Sequence, residues 1–261
     1  MKISLEGRTA MVTGGYGAIG AAMCKKLVGA GASVIIVGRN KQKGLEFEEE
    51  LKNMGGKALY IQGDVSDKKN MEELAKEAIA KFSKIDILVN NAGINVSADK
   101  RGPIHEFDDD DWHNIINTDL NGVYYCSKPV IKHMVQNKYG RIINVSSIVG
   151  LVPLRNQCAF TAAKAGVVNL TRAMAIELAP FGILVNGICP GSIMFEGTKD
   201  LFYKDKAKAD RMLSHIPLGR PGEPEEIAGA TVFLSSDEVS YMTGNIMTID
   251  GGWTCGFARD F

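Results

Sequence analysis

The sequence predicts an α/β domain built on a doubly wound parallel sheet, and three observations carry that expectation. Short apolar runs rich in β-branched residues alternate with longer amphipathic stretches along all 261 residues. The runs are apolar throughout, as strands covered on both faces must be. A glycine-rich turn, "VTGGYGAIGAAM", joins the first run to the first helical stretch.

The strand-like runs are TAMVTGG, SVIIVGR, ALYIQGDV, IDILVNNAG, GRIINVSS, ILVNGICPG and NIMTIDGG. Between them, stretches such as IGAAMCKKLVGAG and NMEELAKEAIAKF carry apolar residues at helical spacing. Seven such strands make one domain over residues 1–261, with its ligand crevice at the carboxyl ends of the strands. No linker composition or internal repeat interrupts them. The long irregular region runs from Gly191 to Pro224 and holds the charged piece DKAKADRMLSHI. Placed after a strand end and bounded by Gly and Pro, residues 192–216 are expected to form a lid.

Bulk composition narrows the function. Hydrophobic residues at 45% and charged residues at 23% describe a soluble globular chain with a full core. Lys plus Arg and Asp plus Glu both number 30, so the chain carries no net charge to draw it to nucleic acid or an anionic membrane. No apolar run reaches spanning length, and the first strand starts too early to leave room for a signal peptide. The five cysteines are scattered without a CxxC pair, which points to reduced thiols in a cytoplasm. Carboxylates in FDDDDW suit a helix N-terminus, and the four histidines show no ligand spacing, so no metal is expected. The start of RPGEPEEIAGA marks a helix, with Pro224 in its first turn. The aromatic tail GGWTCGFARDF is expected to pack, on a neighbouring subunit.

Gly15, Gly17 and Gly20 fit G-x-G-x-x-G between strand and helix, with Gly14 and Ile19 alongside. Such glycines let the backbone approach a pyrophosphate at a helix N-terminus. An NAD site has an acidic residue at the end of the second strand, to bond the ribose hydroxyls. Here that position is Gly38, followed by Arg39 and Asn40. An arginine attracts a 2′-phosphate that a carboxylate would repel, so NADP(H) is favoured and NAD(H) stays open.

TGGYGAIG, GDV at 63–65, NNAG at 90–93, NVSS at 144–147, AFTAAK at 159–164, NGICPG at 186–191 and IDGG at 249–252 together resemble the short-chain dehydrogenase/reductase family over nearly the whole chain. The resemblance implies a Rossmann fold, a homotetramer or homodimer, and a set of site residues. Asp64 and Val65 would contact the adenine. Asn90, Asn91, Ala92 and Gly93 would line the cofactor crevice, and Pro190, Gly191 and Ile193 would pass beside the nicotinamide. Ser147 would polarise the substrate oxygen, and Lys164 would hold the nicotinamide ribose.

The family places a tyrosine, its proton donor, thirteen residues after the serine and four before the lysine. Ser147 plus thirteen and Lys164 minus four both give Phe160. The phenolic proton is therefore missing while its two partners remain, which suggests an engineered or otherwise inactivated dehydrogenase. Three other positions depart from the pattern. Asp119 takes the place of an asparagine that supports a water-linked proton relay to the lysine. Ala18 stands at the middle glycine of the loop, and Phe195 stands where a threonine meets the cofactor.

The reading is an NADP(H)-dependent oxidoreductase interconverting a secondary alcohol and a ketone. The expected substrate is small and polar, a sugar, polyol or sugar acid, on the strength of Asn95, Ser97, Arg155, Asn156, Gln157 and the cationic 204–211 segment. Steroid and 3-oxoacyl substrates stay open, as does a nucleotide-sensing protein that never turns over. A reductase of carrier-protein substrates gains little support from the balanced charge.

Overall fold

The apolar runs become strands because they are covered on both sides. β1 (Thr9–Thr13), β2 (Ser33–Gly38), β3 (Ala58–Gln62), β4 (Ile87–Asn90), β5 (Gly140–Val145), β6 (Ile183–Pro190) and β7 (Ile246–Ile249) form one sheet in the order β3-β2-β1-β4-β5-β6-β7. Every neighbouring pair is parallel. A computed structural model of the chain describes residues 3–199 and 206–256. Part of the expected lid (200–205) and the end of the aromatic tail (257–261) lie outside the described residues.

Successive strand residues point to opposite faces, so the sheet sorts its own side chains into two layers. Val12, Val34, Ile36, Val89 and Ile143 face one way. They bury Met23 and Leu27 of α1 (Ala18–Gly29), Phe47 and Leu51 of α2 (Lys41–Asn53), and Ile227 and Val232 of the helix at Pro224–Ser235. Met11, Ile35, Val37, Leu88 and Ile142 face the other way. They meet α3 (Lys68–Phe82), α5 (Gly122–Asn137) and α6 (Cys158–Leu178). A smaller cluster joins Ile115 of α4 (Asp109–Ile116) to Ala159 and Ala163 of α6. The charged piece at Lys206–Leu213 is α7, and Pro224–Ser235 is α8.

Short polar side chains set the helix starts. Asn40 accepts from the Lys43 amide, Asp67 from the Lys69 and Asn70 amides, and Asp108 from the Asp111 amide. The acidic run at 107–112 is thus a helix N-terminus, with three more carboxylates in its first turn, where the dipole favours them. Among the described residues no His, Cys, Asp and Glu gather into a metal-binding group.

At the amino-terminal end of the sheet, Asp237 ties three elements together. Its carboxylate accepts from Arg8 at 2.8 Å, Arg141 at 2.8 Å and the Tyr139 hydroxyl at 2.9 Å. Both guanidinium groups also stack on the Tyr139 ring. Partial burial alone would raise the Asp237 carboxyl, but these donors hold it below its ordinary range. A carboxyl lowered in the folded state stabilises the fold above its ordinary value of 3.8 and loses that contribution as pH falls through the folded value. Because Asp237 is largely exposed, Asp237→Asn should lower Tm at neutral pH by only roughly 2–4 °C, or about 1 kcal/mol. Calorimetry near pH 3 should show a smaller gap between variant and wild type. A gap that is equal at both pH values would contradict the assignment.

Candidate active site

The site forms where the winding of the sheet reverses. β1 and β4 are neighbours although three helices and two strands separate them in sequence, and their connections leave toward opposite sides. The chain parts beyond their carboxyl ends, which opens a cleft there. Gly14, Gly17, Ile19 and Gly20 line one wall, Arg39, Asp64 and Val65 the far end, and Asn91, Ala92 and Gly93 the other wall.

Close packing accounts for the glycine loop. Gly14 has φ +62°. A Cβ on Gly20 would sit 2.2 Å from the Gly14 carbonyl oxygen, so only glycine lets α1 start this close to β1. Thr13 secures the opposite wall, its hydroxyl accepting from the Asn91 and Ala92 amides at 3.0 Å each. Asn91 donates back to the Thr13 and Gly14 carbonyls. Together these contacts leave an open backbone groove at the start of α1, the shape and polarity a dinucleotide pyrophosphate requires.

Several expected cofactor residues fall elsewhere. Gly15 is buried toward Ile36 and Cys24 rather than the cleft. Asn40 spends its side chain on the α2 cap and its amide on the Tyr16 hydroxyl, at 2.7 Å. Asn90 is the last residue of β4 and points into the core, donating to Ser127 and Asn144. Adjacent strand residues face opposite ways, so Asn91 alone of the pair reaches the cleft. Tyr16 was missed by the sequence reading. Its ring covers Gly38 so closely that a Cβ there would lie 2.3 Å from it, and Tyr60 donates to the Gly38 carbonyl at 2.8 Å.

The cleft continues into a crevice of ≈ 420 Å³, within the range of about 300–1,000 Å³ for small-ligand sites. Ser147, Phe160, Lys164, Asp119, Pro190, Gly191 and Ile193 all line it, so the structure brings the expected catalytic group together. Lys164 and Phe160 share a face of α6, with the ammonium 5.5 Å from the ring centroid. The Ser147 hydroxyl accepts from the Val149 amide at 3.3 Å. Neighbouring Ser146 donates to the Lys164 carbonyl at 2.7 Å and fixes α6 against β5.

Asp119 lies on a single π-helical turn, Asn117–Asn121, between α4 and α5. Such turns re-aim side chains, and often do so at functional sites. Asp119 Oδ2 is 3.0 Å from Lys164 Nζ, and Oδ1 accepts from the Ile94 amide at 2.7 Å. The ammonium also donates to the Val145 carbonyl at 3.3 Å. Burial pushes the Asp119 carboxyl up, against the opposing pull of Lys164 and the Ile94 amide.

The polar residues expected at the substrate end divide. Asn95 lines the crevice. Ser97 lines a polar cavity beside Arg39 and Asp64. Arg155, Asn156 and Gln157 line a separate cavity behind Leu154. Arg101, which the sequence did not flag, lines the crevice instead.

A dinucleotide groove that runs into a crevice holding a serine and a lysine defines an oxidoreductase that uses a nicotinamide cofactor. The enoyl-(acyl carrier protein) reductase family model matches residues 15–254, and the chain belongs to the short-chain dehydrogenase/reductase family. It is 39% identical over 254 residues to the 3-oxoacyl-(acyl-carrier-protein) reductase FabG of Chlamydia pneumoniae, covering 97% of this chain and 100% of that one. It is 39% identical over 247 residues to the cis-4-hydroxycyclohexanecarboxylate dehydrogenase of Sinomonas cyclohexanicum, covering 95% and 96% of the two chains. A gluconate 5-dehydrogenase from Burkholderia cenocepacia J2315, solved in complex with NADP and tartrate, superposes with a TM-score of 0.92 at 32% identity over 98% of each chain.

The buried ion pair makes a stability prediction. Asp119→Ala strands a buried ammonium and the Ile94 amide, and should cost about 3–5 kcal/mol in urea unfolding. Asp119→Asn keeps an acceptor for that amide and should cost clearly less. Equal losses would show that the bond to Ile94 adds nothing measurable to the ion pair.

Proposed function

We propose that this chain is built for NADP(H)-dependent interconversion of a secondary alcohol and a ketone on a small polar substrate, a sugar, polyol or sugar acid, and that Phe160 leaves it without the proton donor. The carrying observation is that Phe160, Ser147 and Lys164 line one crevice, in the spacing where the family sets a tyrosine. The nicotinamide would supply or accept the hydride. The Ser147 hydroxyl is available to donate to a substrate oxygen, and the Lys164 ammonium supplies the positive field that would lower a phenol's pKa. With a phenyl ring at 160 that field acts on no proton. Asp119, in place of the relay asparagine, sets a carboxylate 3.0 Å from Lys164 Nζ.

The substrate class is supported by relatives. Two of them are named for hydroxycarboxylates, and one was solved with tartrate. The FabG relatives support a second reading, reduction of 3-oxoacyl groups. The described parts of the expected lid, 192–199 and 206–216, are read as a cover over the substrate, supported by Thr198 and Met212 in the crevice lining. A single domain, a cytoplasmic location and a homotetramer or homodimer complete the reading. Exposed Tyr124 on α5 and Ile176 on α6 support assembly.

Two measurements test it. Phe160→Tyr should raise turnover by about 10²–10⁴-fold, the usual contribution of general acid catalysis, with cofactor affinity nearly unchanged. The assay panel holds sugars, polyols, sugar acids and a 3-oxoacyl thioester. A rise with the thioester alone would favour the second reading, and equal inactivity of both forms would favour a nucleotide-sensing protein.

In the second, NADPH should bind about tenfold or more tighter than NADH by fluorescence titration, the expected strength of a charged contact from Arg39 to the 2′-phosphate. Arg39→Ala should remove most of that preference. Equal affinity of wild type for both cofactors would overturn the assignment.

A further inference from the structure

Three charged side chains line the crevice among the described residues: Asp119, Lys164 and Arg101. The first two neutralise each other at 3.0 Å. Arg101 makes no side-chain hydrogen bond or ion pair among the described residues, and its Nε is buried with no acceptor. A guanidinium is always charged at physiological pH, and a buried donor left unmade is costly. Among the described residues the crevice therefore carries the field of one uncompensated cation. Around it the lining is largely apolar, with Leu154, Phe160, Phe195, Met212 and Trp253, so that field is weakly screened.

The backbone holds Arg101 in this place. It ends the short 3₁₀ turn Ala98–Lys100, its amide donating to the Ala98 carbonyl. The neighbouring Lys100 turns outward to Asp111 at 3.0 Å. Two adjacent basic residues thus have different fates: one is paired at the surface, the other faces the crevice unpaired.

We propose that Arg101 binds the carboxylate of the substrate and selects hydroxy- and oxo-carboxylates over neutral alcohols and ketones. The planar fork of a guanidinium matches a carboxylate in a bidentate way, and one free cation matches one negative charge. Arg101 shares the lining with Ser147 and Phe160. It therefore anchors the acid end of a ligand whose reacting carbon lies at Ser147. Its role is positioning and specificity. This rests on the crevice being the substrate site of the oxidoreductase proposed above.

The test is binding rather than turnover, because a chain without its proton donor should accumulate unreacted complexes. Wild type loaded with NADP(H) is titrated by calorimetry with D-gluconate and with cis-4-hydroxycyclohexanecarboxylate. The neutral counterparts are D-glucitol and 4-(hydroxymethyl)cyclohexanol. At least one carboxylate should bind about tenfold or more tighter than its counterpart. Arg101→Gln should bring that carboxylate down to the neutral level, with cofactor affinity and the neutral ligand's affinity unchanged. Arg101→Lys should restore part of the preference. No preference in wild type, no carboxylate binding up to about 10 mM, or a preference that survives in Arg101→Gln would each overturn the proposal. A charge-selective result combined with an inactive Phe160→Tyr variant would leave Arg101's role standing and remove the catalytic reading, so the two failures are distinguishable.

Discussion

The Lys164–Asp119 ion pair is the constraint on which the rest of the site depends. Both side chains are almost wholly out of water, so each charge has lost its hydration and relies on the other. The pair joins α6 to the π-helical turn between α4 and α5, and Asp119 adds the loop after β4 through the Ile94 amide. It also dictates a neighbour. A Cβ on Gly93 would lie 2.9 Å from Asp119 Oδ2 and 3.1 Å from Lys164 Nζ. The glycine ending "NNAG" is thus a consequence of the charges beside it.

The two parts of the cleft share Ile19, Asn91, Gly93, Ile94 and Phe195. A ligand that fills the groove along α1 is therefore delivered to Ser147 and Lys164 without any rearrangement of the sheet. At the other end, Tyr16 closes the space above Gly38 and takes the Asn40 amide. A longer side chain at 38 could enter only if that ring moved. The absence of a carboxylate at the end of β2 and the presence of Tyr16 in the glycine loop are one packing solution, and Arg39 lines the far end of the groove together with Asp64.

The fold was legible because strands buried on both faces cannot hide their composition, and all seven runs became strands of one sheet. That Phe160 and Lys164 would stand together was legible because a four-residue spacing on a helix fixes them to one face. What failed was whatever depends on a single residue's direction. Asn90 and Asn91 are chemically identical in sequence, and only the pleat of β4 tells that one enters the core and the other the cleft. The π-helical turn that aims Asp119 at Lys164 leaves no mark in the pattern of "NTDLNG". Arg155 was expected at the crevice, yet it sits with Asn156 (φ +63°) in a turn that lines another cavity.

Position 160 separates packing from chemistry. Phe160 packs against the Ile115, Ala159 and Ala163 cluster, as Ile94, Val96 and Leu120 also do. A phenol keeps the same ring and therefore the same apolar surface to bury there. The hydroxyl would project beyond it, toward the crevice that Ser147 and Lys164 also line. With phenylalanine at 160 the ion pair, the serine and the groove are all in place. Lys164 has partners that do not involve residue 160, in Asp119 and the Val145 carbonyl, so its position does not depend on a phenol. The polar framework of the crevice therefore does not rely on residue 160: Lys164 is held by Asp119 and the Val145 carbonyl, and Ser147 takes the Val149 amide.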